Sequence, residues 1–321
     1  MNQMGKFQRS WLLLKSSLSI IGANKQLLVF PVVIVSLTVV IILFFLAPAV
    51  LRPTGYSYAQ PEHWQAISHS LFTNSEAVPG QRGPQFGFTP AAIVYLALLY
   101  FVSMFFATFF NVAFYNEILA ALSGQSVSIG RGLKFAFTRW KAILLWTLFA
   151  GLVGLIIKAI EQRLEIVGRL LARYIGLAWS IASVFVIPII VREEQSANPL
   201  NMLKKSAGIL KRTWGEALIG YAGLAVANTL IVIGSVVLLM GALFASIALN
   251  NYWLIAITGV LWLFAMVGWS YVTSVASQVY KGALYLYAAE GVVAEPYSEE
   301  LLEMAWKFKK TGSSSRTKDA T

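Results

Sequence analysis

The chain has no cysteine, which excludes disulfides, zinc thiolate centres and cysteine nucleophiles and leaves the redox compartment open. Aspartate occurs once, as Asp319 close to the C-terminus, so a Ser-His-Asp triad has no acid to draw on in the apolar part of the chain. The only histidines, His63 and His69, fit no i, i+3 or i+4 metal pair and have no carboxylate cluster beside them; both are expected at the surface. Charge of either sign is scarce, at 12% of 321 residues. Together these absences predict a non-enzymatic protein with no catalytic residue, cofactor or metal site.

What is abundant is apolar sequence: 58% of the residues are hydrophobic and the mean hydropathy is +0.69, above the share of about half that soluble domains carry. A helix crossing a bilayer needs roughly 20 mostly apolar residues at about 1.5 Å each. Six runs qualify: Leu27–Val50, Pro90–Leu122, Ala142–Ile157, Tyr174–Val191, Ala217–Leu249 and Tyr252–Gln278. The expected fold is therefore all-α, a polytopic membrane protein with six transmembrane helices. The first run is too long for the apolar part of a signal peptide and reads as an uncleaved span. After the third, "KAIEQRLEIVGRLLARY" places Glu165 four residues before Arg169, a helical ion-pair spacing, and 158–173 reads as an external amphipathic segment. Pro188 is positioned to kink the fourth run, although one proline is a weak sign of a broken transporter helix.

Orientation follows from the cations, which collect on the cytoplasmic side of short loops. With the N-terminus inside, 19 of the 25 Lys and Arg fall in cytoplasmic segments, leaving Arg52, Arg82, Lys158, Arg163, Arg169 and Arg173 outside. Both termini are then cytoplasmic. The net charge of +11 is a topology signal and an attraction to a bilayer with anionic headgroups, not a nucleic-acid footprint, since the cations form no contiguous patch or arginine-rich arm.

These cations recur in a pattern. "IGRGLKFAFTRWKAILLWTLFAG" (129–151) and "LKKSAGILKRTWGEALIGYAG" (203–223) each hold a basic amphipathic turn, a tryptophan and immediate entry into a span. The N-terminus offers a looser third copy, with Phe7, Trp11, Leu14, Leu18 and Ile21 on one helical face. Such helices lie in the interface, tryptophan at headgroup depth and lysines snorkelling to phosphate. The expected interfacial anchors are Trp11, Trp140, Trp214, Lys204, Lys205, Lys211 and Arg212. The chain then reads as a three-fold helical-hairpin pseudo-repeat, each unit a cytoplasmic lead-in helix, an outgoing span and a returning span.

"FQRSW", "KQLLVFP", "FFN" at 109–111, "RLEIVGRLLARYIGLAWSIASVFVIPIIVRE", "LKKSAGILKRTWGEALIG" and "YKGALYLYAAEG" together resemble an uncharacterised bacterial family of six-span integral membrane proteins, domain of unknown function 6159. The resemblance covers most of the chain apart from the 51–89 loop and the last dozen residues. It implies a multi-pass protein of the bacterial inner membrane and brings no activity or catalytic residue with it.

No span has an ionisable residue near its middle, where one would mark a proton relay or ion path. Glu117, 27 residues past Pro90, is expected at the cytoplasmic surface and Lys158 at the outer one, both snorkelling or paired there. Two polar stripes remain. Ser103 and Asn111 lie on one face of the second span, and Ser270, Ser274 and Ser277 on one face of the sixth. Helix packing explains them more simply than a hydrophilic pathway, as it does Gly151 with Gly154 and Gly241 with Ala245. The 51–89 loop reads as an irregular or partly helical external cap, 296–310 as a cytoplasmic amphipathic helix starting near Ser298, and 311–321 as a disordered tail.

Three functional classes are weighed: an envelope-homeostasis or assembly component, favoured by the missing chemistry; a channel or transporter for neutral or lipid-like molecules built on the stripes; and, last, an intramembrane or outer-face enzyme. A second copy of the chain or another membrane protein is open as a partner. The charge asymmetry generates a topology prediction. A reporter active only outside the cytoplasm is expected to work when fused in the 51–89 loop and to stay silent when fused beside Arg131 or Lys205. Activity at the latter two positions would invert the account.

Overall fold

The computed structural model describes residues 6–75, 85–163, 166–193 and 198–303. Helix α1 (Lys6–Ala23) leads through a 3-10 turn (Lys25–Leu28) into α2 (Val29–Val50). A cap follows, made of α3 (Pro61–Leu71) and an antiparallel hairpin of β1 (Phe72–Ser75) and β2 (Gln85–Phe88), with Phe72 opposite Phe88. Next come α4 (Pro90–Leu122), α5 (Ile129–Thr138), α6 (Trp140–Arg163), α7 (Ile166–Ala182) and α8 (Val186–Arg192). The chain continues through α9 (Pro199–Ala248), α10 (Tyr252–Tyr285), a π turn (Leu286–Glu290) and α11 (Glu299–Glu303). The fold is all-α, the short hairpin aside. Among the described residues six stretches are long and apolar enough to cross a membrane: Lys25–Pro48, Pro90–Leu122, Trp140–Gln162, Gly168–Arg192, Ile231–Ala248 and Tyr252–Glu290.

The spans pair as antiparallel hairpins, α2 with α4, α6 with α7, and α9 with α10. Each has its own fastening. Phe45 and Tyr95 meet ring to ring in the first, Trp146 stacks on Trp179 at 5.8 Å in the second, and the Ser235 hydroxyl lies 3.3 Å from the Met266 sulfur in the third. The third hairpin turns at Asn250, whose φ of 49° is left-handed, a conformation asparagine tolerates. Asn251 then caps α10 by accepting from the Trp253 amide.

Burial is concentrated at one end of the bundle, which also gathers Lys15, Arg131, Lys134, Arg139, Arg192 and Lys205 and is here termed the basic end. Leu13, Leu14, Ile20 and Ile21 of α1 pack there with Val112, Ile118 and Leu122 of α4, Ile189 and Ile190 of α8, and Val279, Ala283 and Leu284 of α10. The distal halves carry their large apolar side chains outward, Phe44 at 71%, Leu238 at 77% and Phe264 at 68% exposure. Lipid tails solvate such faces as well as a protein core does, so the spans have no need to bury them against one another.

Helix α4 is the hub of that core. Three glycines let other helices close onto it: a Cβ on Gly132 of α5 would sit 2.8 Å from the Ala113 carbonyl, one on Gly151 of α6 2.6 Å from the Phe101 ring, and one on Gly282 of α10 2.8 Å from Ile118. A Cβ on Gly154 would likewise sit 3.3 Å from the Tyr100 hydroxyl, in line with the packing reading of that pair. Gly241 does not follow it, because open space surrounds the position of its absent Cβ.

Other expectations need correction. The fourth span is broken: α7 stops at Ala182, three residues turn, and α8 starts at Val186. Pro188 explains the break, since its ring would collide with the Val184 carbonyl in a continuous helix. The Phe185 amide is satisfied from outside by the Ser206 hydroxyl of α9, 3.0 Å away and fully buried. On α1 the packed face is Leu13, Leu14, Ser17, Ile20 and Ile21, while Trp11 stays 45% exposed and Leu18 sits at the rim. The rotation has a cause in Ser17, whose hydroxyl is placed inside by bonds to the Leu13 carbonyl and the Tyr297 hydroxyl. Burial pushes the Tyr297 phenol up, against the opposing effect of Ser17.

His63 is also not at the surface; it is 1% exposed, with Nε2 donating to the Val50 carbonyl and Nδ1 accepting from Thr54. It bolts the cap to the end of α2, and only His69 is exposed. Segment 158–173 forms the end of α6 and the start of α7, with Lys158 exposed and Glu165 outside the described residues. The lead-in and span of α9 run as one unbroken helix of 50 residues, whereas α5 and α6 are separated at Arg139. Of the terminal helix, α11 is seen with Ser298 as its cap; 304–310 and the tail lie outside the described residues.

Gly132→Ala is predicted to lower the unfolding free energy by about 1–3 kcal/mol, because the new methyl meets backbone rather than a movable side chain. Gly241→Ala is expected to cost nothing. Thermal melts of the detergent-purified variants check both; equal behaviour would contradict the role given to α4.

Candidate functional site

The site begins with how α4 ends. Gly124 takes a left-handed φ of 75°, and the amides of Gln125 and Gly124 return to the carbonyls of Ala120 and Ala121, closing the helix with a Schellman motif. The chain reverses within a few residues, and Ser128 starts α5 by accepting from the Arg131 amide. That reversal lays the first turn of α5 against Glu117 on α4.

Glu117 is fully buried, contrary to the expected surface position. A carboxylate can be buried when its acceptor sites are filled, and here they are. Arg131 Nε donates to Oε1 at 3.0 Å and Nη2 to Oε2 at 2.6 Å; the Ser128 amide donates to Oε2 at 2.7 Å and Asn116 Nδ2 to Oε1 at 2.9 Å. The Ser128 bond also satisfies an amide at a helix N-terminus, where negative charge is favoured. Arg131 is 41% exposed at its side chain and bonds the Ser126 carbonyl as well. Its hydrogen bonds with Glu117 push the guanidinium above its ordinary range, with burial opposing.

Beside this pair lies a cleft of about 460 Å³. Its walls come from the last turns of α4 (Asn116, Leu119, Ala120, Ser123), from Gln125, from α5 and its end (Arg131, Phe135, Arg139) and from the end of α8 (Val191, Arg192). Among the described residues three guanidinium groups line it and no carboxylate does. Each arginine is held in place by a defined contact. Arg131 is fixed by Glu117, the Arg139 guanidinium carbon stands 5.4 Å over the Phe135 ring, and Arg192 is paired through Nε with Glu290 at 3.0 Å. Behind Arg192, Glu193 pairs with Lys205 of α9.

The polar stripes do not come together here: none of Ser103, Asn111, Ser270, Ser274 and Ser277 lines the cleft. Ser270 and Ser274 face outward, Asn111 and Ser277 are half-buried, and the buried Ser103 hydroxyl has no partner among the described residues. Spans two and six do share one polar contact, Tyr115 donating to Gln278 at 2.6 Å. Among the anchors, Trp11 and Trp140 are about half exposed, Lys141 approaching the Trp140 ring at 5.8 Å, and Lys204, Lys205 and Lys211 are exposed. The side chains of Arg212 and Trp214 lie outside the described part. Sequence reasoning counted Arg131, Arg139 and Arg192 only as topology markers. The signal for the pair was an acid in the last turns of a span, followed by a glycine turn and a serine cap.

Fold and cleft together define an all-α polytopic membrane protein with a guanidinium-lined recess at one end of its bundle. The chain belongs to the Family of unknown function (DUF6159), which it matches over residues 90–295. That stretch contains Glu117 and all three cleft arginines and begins after "FQRSW" and "KQLLVFP". No curated protein matches the chain.

Removing one partner of a buried ion pair strands the other. Arg131→Met is predicted to destabilise the protein by about 3–5 kcal/mol, and the double variant Glu117→Met with Arg131→Met to recover a substantial part of the loss. Chemical denaturation in detergent measures both. A single variant as stable as the wild type would mean that Glu117 is not held as described.

Proposed function

We propose that the protein is a non-enzymatic component of the bacterial cytoplasmic membrane, with both termini and the basic end on the cytoplasmic side, serving envelope homeostasis or assembly. The supporting observation is the use made of Glu117. It is the acid best placed to do chemistry, inside the protein and next to a cleft, yet its oxygens are occupied by Arg131, Ser128 and Asn116. A general base needs a free oxygen within reach of a substrate proton, and this carboxylate is committed to fastening α5. The charge asymmetry of the loops supports the orientation.

A transport reading has one observation in its favour, the Ser103 hydroxyl inside the second span, which has no partner among the described residues. Reconstitution separates the two. In liposomes the component reading expects no solute flux above protein-free vesicles and expects specific membrane proteins to co-purify in native lipid. Flux of a neutral or lipid-like solute that Ser103→Ala abolishes would replace it with the transport reading.

A further inference from the structure

We infer that the cap lies in the membrane interface, with α3 flat in the headgroup layer of the leaflet opposite the basic end and Tyr58, Trp64, Phe72 and Phe88 set among the lipids. Helix lengths fix its depth. Helix α2 has 22 residues, about 33 Å at 1.5 Å each. In α4 the run of buried core residues begins at Thr108, about 18 residues or 27 Å past Pro90. Hydrocarbon is roughly 30 Å thick, so Val50 and Pro90 mark its far boundary. The inference rests on the multi-pass placement alone and is indifferent to the component and transport readings.

The cap is pinned to that boundary at both ends. Near the start of α3, His63 bonds the Val50 carbonyl at the end of α2. At its other end, the carbonyls of Ser70 and Leu71 accept from the Thr89 hydroxyl and amide, directly before α4. Seven residues of helix separate His63 from Ser70, about 10 Å, which is the spacing of two packed helices. Helix α3 therefore lies across the ends of α2 and α4 rather than standing away from them.

Lying flat gives the sides of α3 different surroundings. His63 and Ile67, one turn apart, are buried toward the spans, while Glu62, Gln65, Ser68 and His69 are exposed on the remaining sides. Trp64 projects from a flank, about half exposed, its indole N–H held by the Tyr58 carbonyl at 3.0 Å. The Tyr58 and Trp64 rings both meet the His63 ring edge to face, so the anchor is rigid. Phe72 and Phe88 pack ring to ring at 5.1 Å on the rung of the hairpin nearest Pro90, and both stay exposed. They sit where the lipid-facing surface of Leu46 and Leu51 on α2 and of Ile93 and Val94 on α4 begins. Tryptophan and tyrosine at span-end level, on a short helix with a polar outer side, make an interfacial anchor. That level and that continuity favour lipid over a partner in solution.

The test uses the full chain in nanodiscs of phosphatidylcholine and phosphatidylglycerol. Because the chain has no cysteine, a single nitroxide is attached at Trp64→Cys, Phe88→Cys or Gln65→Cys, and its collisions with lipid-soluble oxygen and a water-soluble nickel chelate are compared. The oxygen-to-nickel ratio is expected to be about fivefold or more higher at 64 and 88 than at 65. Because those replacements remove part of the cap's own packing, the wild type is also treated with a phosphatidylcholine carrying a diazirine at the top of its acyl chain. Labelling is expected on the peptide that holds Tyr58 and Trp64. A peptide left unlabelled, or equal ratios at all three positions in folded variants, overturns the proposal. Exclusion of both oxygen and nickel at 64 and 88 would show a protein surface there, a second copy or another chain, and overturns the bilayer as occupant.

Discussion

The basic end of this protein depends on one buried carboxylate. Glu117 lies in the last turns of α4, inside the protein, and its charge is supported by a guanidinium, a helix-capping amide and a side-chain amide. Such an arrangement adds little net stability over an apolar replacement, because desolvation of the ions offsets their attraction. What it supplies is position. Three of the four donors to Glu117 belong to the start of α5, so α5 has one register on α4, and Gly132 admits the close approach that the register requires.

Position then propagates to the cleft. With α5 fixed, Arg131 and Arg139 are presented beside the end of α8, where the Pro188 break has turned the chain and Glu290 holds Arg192. Ser206 of α9 closes the broken span by taking the freed Phe185 amide, and Tyr297 of the C-terminal segment closes α1 through Ser17. Contacts from distant parts of the chain thus converge on one end. The distal halves are simple paired helices whose apolar surface faces lipid.

The sequence made the outline legible because spans are a matter of length and hydropathy, and Thr89, Pro90, Asn250 and Asn251 mark span ends with recognisable caps. The details that escaped are those set by partners far away in the chain. Glu117 looked like a surface acid because nothing local says that Arg131 will fold back over it. Ser17 is absent from the apolar face read for α1, since its partner Tyr297 is 280 residues away. His63 looked like a loop histidine until Thr54 and the Val50 carbonyl were seen on its two ring nitrogens. The cleft itself was hidden by the same circumstance: its arginines were visible as charges that orient a membrane protein, while their grouping depends on how three span ends meet.

Hydrogen exchange of the Ser128 amide in lipid nanodiscs tests the central claim most directly, because that amide donates to Glu117 only if α5 is docked. The account predicts strong protection of Ser128 and the following turn in the wild type. It also predicts fast exchange across α5, but not across the distal turn between α9 and α10, once Glu117 is replaced by alanine. Protection of α5 that survives the loss of Glu117 would contradict it.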